Sequence, residues 1–173
     1  MEARIARVND RDEVIGSCTK ADQIKPEIIT RNAIVVLQDS ALKYLLQVRA
    51  SDKKFFPGCY DFAACGSVDA NEDYSDAAAR ELLEELGVRT TLRALQKIYR
   101  IVPASEGSHR YFTTFFHGTY DGEFHPSKDV EKVVKVVQEE LEHMIGTRAR
   151  GIEDYFVQEW EILKKLLPKQ TTG

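Results

Sequence analysis

Between Ser75 and Gly87 the chain reads as a helix whose two sides make opposite demands. Ser75 is a suitable N-cap, Asp76 follows in the first turn, and Ala77-Ala78-Ala79 is a run of strong helix formers. Gly87 suits the left-handed position that ends a helix. At 3.6 residues per turn, Glu81 neighbours both Glu84 and Glu85, so three carboxylates share one patch. Leu82, Leu83 and Leu86, with Ala78 and Ala79 a turn earlier, lie toward the other side and are expected to pack on a sheet. Like charges at this spacing repel, and the C-terminal end of a helix favours cations. A divalent cation removes both costs. Mg²⁺ takes hard oxygen ligands and binds through few carboxylates plus substrate phosphates. An isolated ExxEE run, by contrast, reads as an ordinary solvated face.

Strand signals flank this helix on both sides. Arg4 to Val8 and Val14 to Thr19 form an expected hairpin around an Asn9-Asp10-Arg11-Asp12 turn. Arg31 to Leu37 and Lys43 to Val48 are expected partners, joined at Asp39-Ser40. Phe55-Phe56-Pro57-Gly58 marks a loop, and Tyr60 to Cys65 is short, apolar and extended. Leu92 to Val102, Arg110 to Tyr120 and Lys132 to Val137 are further strands. Glu139 to Ile145 reads as a short helix. A last helix runs from about Ile152 to Leu167, where Phe156, Trp160, Leu163 and Leu167 give one apolar stripe, read as core, before Pro168 stops it. This order implies a mixed sheet sandwiched by helices.

The bulk numbers narrow the function. A length of 173 residues fits one domain. A net charge of -4 argues against a nucleic-acid polymer as partner, while leaving room for a small phosphorylated substrate whose charge a metal offsets. No apolar run approaches a membrane span, and Met1 to Gly16 lacks a signal-peptide core, so a cytoplasmic location is expected. Cys18, Cys59 and Cys65 are odd in number and form no CxxC pair, which points to reduced thiols rather than a zinc site.

The helix belongs to a longer pattern. Gly66, Glu72, Arg80-Glu81, Leu82, Glu84-Glu85, Gly87 and Val88 satisfy G-x5-E-x7-R-E-U-x-E-E-x-G-U, where U is a bulky aliphatic residue. Average residue usage makes a chance match at a given start on the order of 10⁻⁹. The pattern resembles the Nudix box, which occupies 66–88 here. The resemblance implies an α/β fold, a Nudix-type α/β/α sandwich with a mixed sheet, over a single domain of residues 1–173, with 1–28 as an N-terminal β-hairpin extension. It implies hydrolysis of a nucleoside diphosphate linked to another group, with Mg²⁺ or Mn²⁺. It also implies roles: Glu81, Glu84 and Glu85 as metal ligands, Arg80 orienting a box glutamate, and Glu72 assisting as an outer-shell ligand or by fixing the helix.

The flanks add detail. Val8 to Gly16, Gln47-Val48-Arg49 and Phe56 to Asp61 resemble Nudix proteins similar to isopentenyl diphosphate isomerase. That kinship raises allylic isomerisation as a rival, because Cys65 falls near the isomerase cysteine. Three departures oppose it: Ser67-Val68 replaces the expected histidine, Arg31 stands where a metal-binding histidine is expected, and the box is intact. A non-catalytic nucleotide-binding module is a third class, unsupported because no box carboxylate is missing. Arg49, Lys53 and Lys54 are candidate phosphate contacts, with exposed loop cations the equal alternative. Glu131 and Glu106 are candidate bases. His109-Arg110-Tyr111-Phe112 can stack on a base or serve as sheet core.

Overall fold

The computed structural model describes residues 4–53, 55–104 and 107–167. Among these residues, nine strands form one mixed sheet: β1 (Arg4–Val8), β2 (Val14–Thr19), β3 (Ile29–Gln38), β4 (Tyr44–Arg49), β5 (Tyr60–Asp61), β6 (Ala64–Ser67), β7 (Arg93–Ala104), β8 (Gly107–Thr119) and β9 (Val130–Val136). The helices are α1 (Tyr74–Leu86), α2 (Gln138–Gly146) and α3 (Asp154–Leu163), with a short 3₁₀ turn at Asp22–Ile24.

β3 is the spine. It runs parallel to β8 along its length, antiparallel to β6 and β1, and meets β4 only at Leu37 and Gln38. β4 turns away to pair with β5 and β9. Because β3 and β4 part after two residue pairs, the sheet splits, and Gln47 and Asp61 end near β6 at the fork. The unbroken apolar run of β3 follows from coverage on both faces. Ala33, Val35 and Leu37 pack under α1 with Ala77, Ala78, Leu82 and Leu86. Ile34 and Val36 pack under α2 and α3 with Phe62, Phe115, Phe156 and Trp160.

The strands expected from sequence are present, with four differences. The helix starts two residues early: Asp73 is the cap and accepts from the Ser75 and Asp76 amides, so Ser75 lies inside the first turn. A carboxylate at that end also meets the positive end of the helix dipole. Ala79 is exposed, Leu83 is only half-buried, and the packed pair is Ala77-Ala78. The stretch Tyr60 to Cys65 is not one strand, because Phe62-Ala63 separates β5 from β6. The last helix is shorter than expected, Asp154–Leu163, although Leu167 still packs beneath it. Pro168 lies outside the described residues.

The N-terminal hairpin joins the same sheet through β1. At its turn, Asp12 has φ 63°, and its carboxylate accepts from Arg31 Nε at 2.7 Å, Lys97 Nζ at 2.5 Å and Tyr74 Oη at 3.0 Å. It thereby ties β2, β3, β7 and the first turn of α1 together. Burial pushes the Asp12 carboxyl up, but the bonds from Lys97, Arg31 and Tyr74 outweigh it and hold it below its ordinary value. Among the described residues no helix is long and apolar enough to cross a membrane. All three cysteines are free thiols.

Candidate active site

α1 is held at both ends before its carboxylates are considered. Gly87 caps it with φ 68°, and a side chain there would press on His125. The last carbonyls, which no intrahelical N–H reaches, accept from the loop that follows β8: His125 N bonds Leu86 O and Ser127 N bonds Glu85 O, both at 2.8 Å. These bonds fix the rotation of the final turn.

That rotation does not leave the three glutamates on one solvated face. The Glu81 side chain is 13% exposed and that of Glu84 is 58% exposed. Glu81 turns inward over β6 and fills the space left by the missing side chain of Gly66, where a Cβ would lie 2.0 Å from the glutamate Cδ. Glu85 turns toward the fork. Its Oε2 accepts from Gln47 Nε2 at 2.8 Å and from the Cys65 amide at 3.2 Å. Burial, then the nearby Asp61 charge, pushes the Glu85 carboxyl up to about 8, and burial raises Glu81 as well. Two carboxylates are therefore held where negative charge is disfavoured.

Arg80 is the hub on the outer side. Its Nε and Nη2 grip Glu72 at 2.6 and 2.9 Å, its Nη1 reaches Glu81 at 2.7 Å and Glu84 at 3.3 Å, and Nη2 also bonds Ser67 O at 3.0 Å. Glu72 further accepts from the Asp69 amide at 3.0 Å. The bond from Arg80, ahead of the burial cost, holds the Glu72 carboxyl below its ordinary value. One guanidinium thus connects Glu72, Glu81 and Glu84, but does not reach Glu85.

The donor set suits a hard divalent cation in kind: inward oxygen ligands whose burial has raised their proton affinity. Among the described residues, however, no three acidic, histidine or cysteine side chains already converge as a metal-binding group. Glu81 and Glu85 point inward, and Glu84 points out onto Arg80. A Mg²⁺-like ion held by two carboxylates, with phosphate and water completing its shell, fits this arrangement.

The other sequence candidates are scattered. Arg49 lies at the fork, paired with Asp61 at 3.2 Å and bonded to Phe55 O at 3.3 Å. Lys53 pairs with Asp129 at 3.1 Å. Glu131 is exposed on β9. Lys54 and Glu106 lie outside the described residues. His109 bonds Thr30 and stacks near Tyr111, and burial drives it down to about 4. Cys65 is half-buried, with its Sγ accepting from Asn32 Nδ2 at 3.3 Å. Gln47, Asp61 and Glu159 were not singled out by spacing. For Glu159 the signal was present: a charged residue one turn from Phe156 and Leu163, inside the apolar stripe of the last helix.

A split mixed sheet between helices, with a glycine-bedded glutamate beside an arginine hub, defines an α/β protein with a carboxylate centre at the fork. The sequence matches the NUDIX domain over residues 29–156, so the chain belongs to the Nudix hydrolase family. It is similar to the uncharacterized Nudix hydrolase PA4841 of Pseudomonas aeruginosa, 42% identical over 49% of this chain and 50% of that one. It is also 30% identical to the prenyl-diphosphate phosphatase of Methanosarcina mazei, over 81% of each, and 30% identical to isopentenyl-diphosphate Delta-isomerase 2 of Aromatoleum aromaticum, over 70% of this chain and 65% of that one. The chain spans about half the length of the first of these relatives. Its fold is shared with DR0079 from Deinococcus radiodurans, with a TM-score of 0.75 at 23% identity, covering 95% of this chain and 99% of that one.

Proposed function

We propose that this chain is a divalent-metal-dependent pyrophosphohydrolase that cuts a phosphoanhydride bond in a nucleoside diphosphate linked to another group. The observation that carries the reading is the pair of inward carboxylates, Glu81 bedded on Gly66 and Glu85 at the fork, beside Arg80. When bound, Mg²⁺ or Mn²⁺ would offset the diphosphate charge and lower the pKa of water. Glu81 and Glu85 would hold the ion, and Glu84 would join by leaving Arg80. Arg80 keeps Glu81 oriented through a charge-assisted bond, and Glu72 keeps Arg80 in place. Gln47 and the Cys65 amide fix the Glu85 carboxylate, so its reach does not depend on the ion. Residues 1–173 act as one Nudix domain in this reading, in the cytoplasm, on a small phosphorylated substrate and without a nucleic-acid polymer or membrane.

A second reading is hydrolysis of a prenyl diphosphate, favoured by the Methanosarcina phosphatase, whose similarity extends over 81% of each chain. Release of phosphate or nucleotide from ADP-ribose, other nucleoside diphosphate conjugates and dimethylallyl diphosphate, with Mg²⁺, Mn²⁺ or a chelator, tests both. Metal-dependent cleavage of a nucleotide conjugate is expected. Full activity in chelator would remove the metal, and cleavage confined to the prenyl compound would replace the substrate.

A further inference from the structure

Tyr99 and Ile101 are large apolar side chains left 39% and 58% exposed, and both lie on β7, an outer strand of the sheet. β7 pairs with β8 on one side; among the described residues, no strand or loop backbone bonds its other side. An open strand edge is a row of unused N–H and C=O groups that another extended chain can pair with.

Pro103 shows which groups are unused. It stands opposite Ser108 and has no N–H, so this pair cannot exchange backbone bonds. In an antiparallel ladder such pairs alternate with bonded ones. The register is regular from Lys97 to Ala104, so Ile98, Arg100 and Val102 bond β8. Lys97, Tyr99 and Ile101 therefore turn their N–H and C=O groups to the open side. The bulge between Ala94 and Lys97 guards one end of the strand, and the missing donor of Pro103 guards the other. The stretch between them is regular and rich in β-branched and aromatic residues. The other long open edges are less receptive. β2 is six residues long with a bulge beside Val14, and β9 exposes Glu131, Lys132 and Lys135, charges of both signs.

The side chains along the β7 edge define what fits it. Lys97, Tyr99 and Ile101 lie opposite Thr114, Phe112 and Arg110, on the face that carries Phe116 under α1. α1 packs farther along the sheet, and Lys97, Tyr99 and Ile101 stay exposed. The Tyr99 and Phe112 ring centroids are 5.0 Å apart, and Arg110 donates from Nε to Tyr99 Oη at 2.8 Å. β7 and β8 together carry Arg93, Lys97, Arg100 and Arg110 and no acidic residue, in a chain of net charge -4. Lys97 is paired with Asp12, whereas among the described residues Arg93 and Arg110 have no ion pair. Such an edge repels a second copy of itself and attracts an acidic strand. β8 and β3 lie between β7 and β6, so the edge is separate from the carboxylate centre.

We propose that β7 is a docking edge for an extended acidic peptide segment of another protein, which adds to the sheet as a further strand beside Lys97, Tyr99 and Ile101. Backbone bonds to Tyr99 and Ile101 supply affinity. Apolar side chains over those two residues, with acidic ones near Lys97 and Arg110, supply selectivity.

The test is an NMR titration of the whole chain with the acetylated peptide amide Glu-Thr-Val-Thr-Val-Thr-Glu, read by amide chemical shifts and amide hydrogen exchange. On one face this peptide sets its valines against Tyr99 and Ile101 and a glutamate against Lys97. Shifts are expected along β7, with the Tyr99 and Ile101 amides gaining protection. The same peptide with lysine for glutamate should bind at least about tenfold more weakly. N-methylation of both valines removes the pairing donors and should abolish binding. Ile101→Pro removes an open-side N–H but no bond to β8, and should abolish binding as well. Ile101→Asp keeps that N–H and should narrow the preference for the acidic peptide. Absence of shifts at β7 in the wild type would overturn the proposal, as would equal binding of the acidic and basic peptides or an unchanged preference in folded Ile101→Asp. Shifts at β7 with oligothymidylate and none with the peptide would give the edge to a nucleic acid. A dimer of the free protein with the Tyr99 and Ile101 amides already protected would give it to a second copy. Either result overturns the acidic-peptide assignment.

Discussion

Asp12 and Glu85 are both carboxylates withdrawn from water, and the fold treats them in opposite ways. Asp12 accepts from Arg31, Lys97 and Tyr74, and those bonds hold its carboxyl low despite burial. Among the described residues, Glu85 accepts only from an amide side chain and a backbone N–H; it faces Asp61 and Glu81 and is pushed up to about 8. The first site has its positive charge built in. The second lacks a direct one: Arg80 is spent on Glu72, Glu81 and Glu84, and Arg49, also at the fork, is paired with Asp61. A carboxylate that exists to hold the fold is surrounded by donors. A carboxylate left short of them, beside a second inward carboxylate, is arranged for a charge that arrives later.

Breaking the saturated site should give the largest effect on stability. Asp12→Ala leaves Arg31, whose side chain is only 15% exposed, without its carboxylate. The expected loss is about 3 kcal/mol, read from chemical denaturation, with turnover per folded molecule nearly unchanged. A loss under about 0.5 kcal/mol would show that Asp12 is not a clamp.

Gly66→Ala probes the starved site with little cost to the fold. The added Cβ would occupy the position of the Glu81 carboxylate, which is the end of a flexible side chain and can swing away. Stability should change by about 1 kcal/mol, while turnover falls at least about tenfold. Unchanged turnover would mean that the inward pose of Glu81 has no role.

The pH dependence separates the two kinds of site by sign. A carboxyl raised in the folded state contributes stability that is full below its ordinary value near 4.5 and is lost as pH rises toward 8. Glu85 and Glu159 both behave so, while the lowered Asp12 contributes in the reverse direction, losing its share as pH falls below its ordinary value. In chelator, the melting temperature should therefore decline from about pH 5 to pH 8, and Glu159→Gln should flatten that decline. An equal slope in the variant would place the Glu159 carboxyl in water.

The sequence made the helix legible because its signals are local: helix formers, a terminal glycine and a fixed spacing of charges. It also showed β3, since an apolar run covered on both faces needs no knowledge of its neighbours. Which way each glutamate turns was not legible. That depends on Gly66 leaving room on β6, on the β3–β4 fork bringing Gln47 to Glu85, and on the loop amides of His125 and Ser127 setting the last turn. The cap was misplaced because Asp73 and Ser75 are both good caps, and the choice between them is made where the chain leaves β6. Glu159 was passed over, because the stripe of Phe156, Trp160, Leu163 and Leu167 counts apolar residues and is silent about a buried polar one between them. Arg49 and Lys53 looked free in a basic loop, but Asp61 and Asp129, distant in sequence, engage them.

The central claim is that Glu85 and Glu81 await a cation. Thermal melts of wild type, Glu84→Gln and Glu85→Gln, each in chelator and in Mg²⁺, test it most directly. In chelator both variants should melt no lower than wild type, because each removes a carboxylate beside Glu81 and the exposed Glu84–Arg80 contact contributes little. In Mg²⁺ the wild type should gain melting temperature by mass action, Glu84→Gln should gain less, and Glu85→Gln should gain least and be nearly inactive. Equal Mg²⁺-induced shifts in all three proteins would contradict the account.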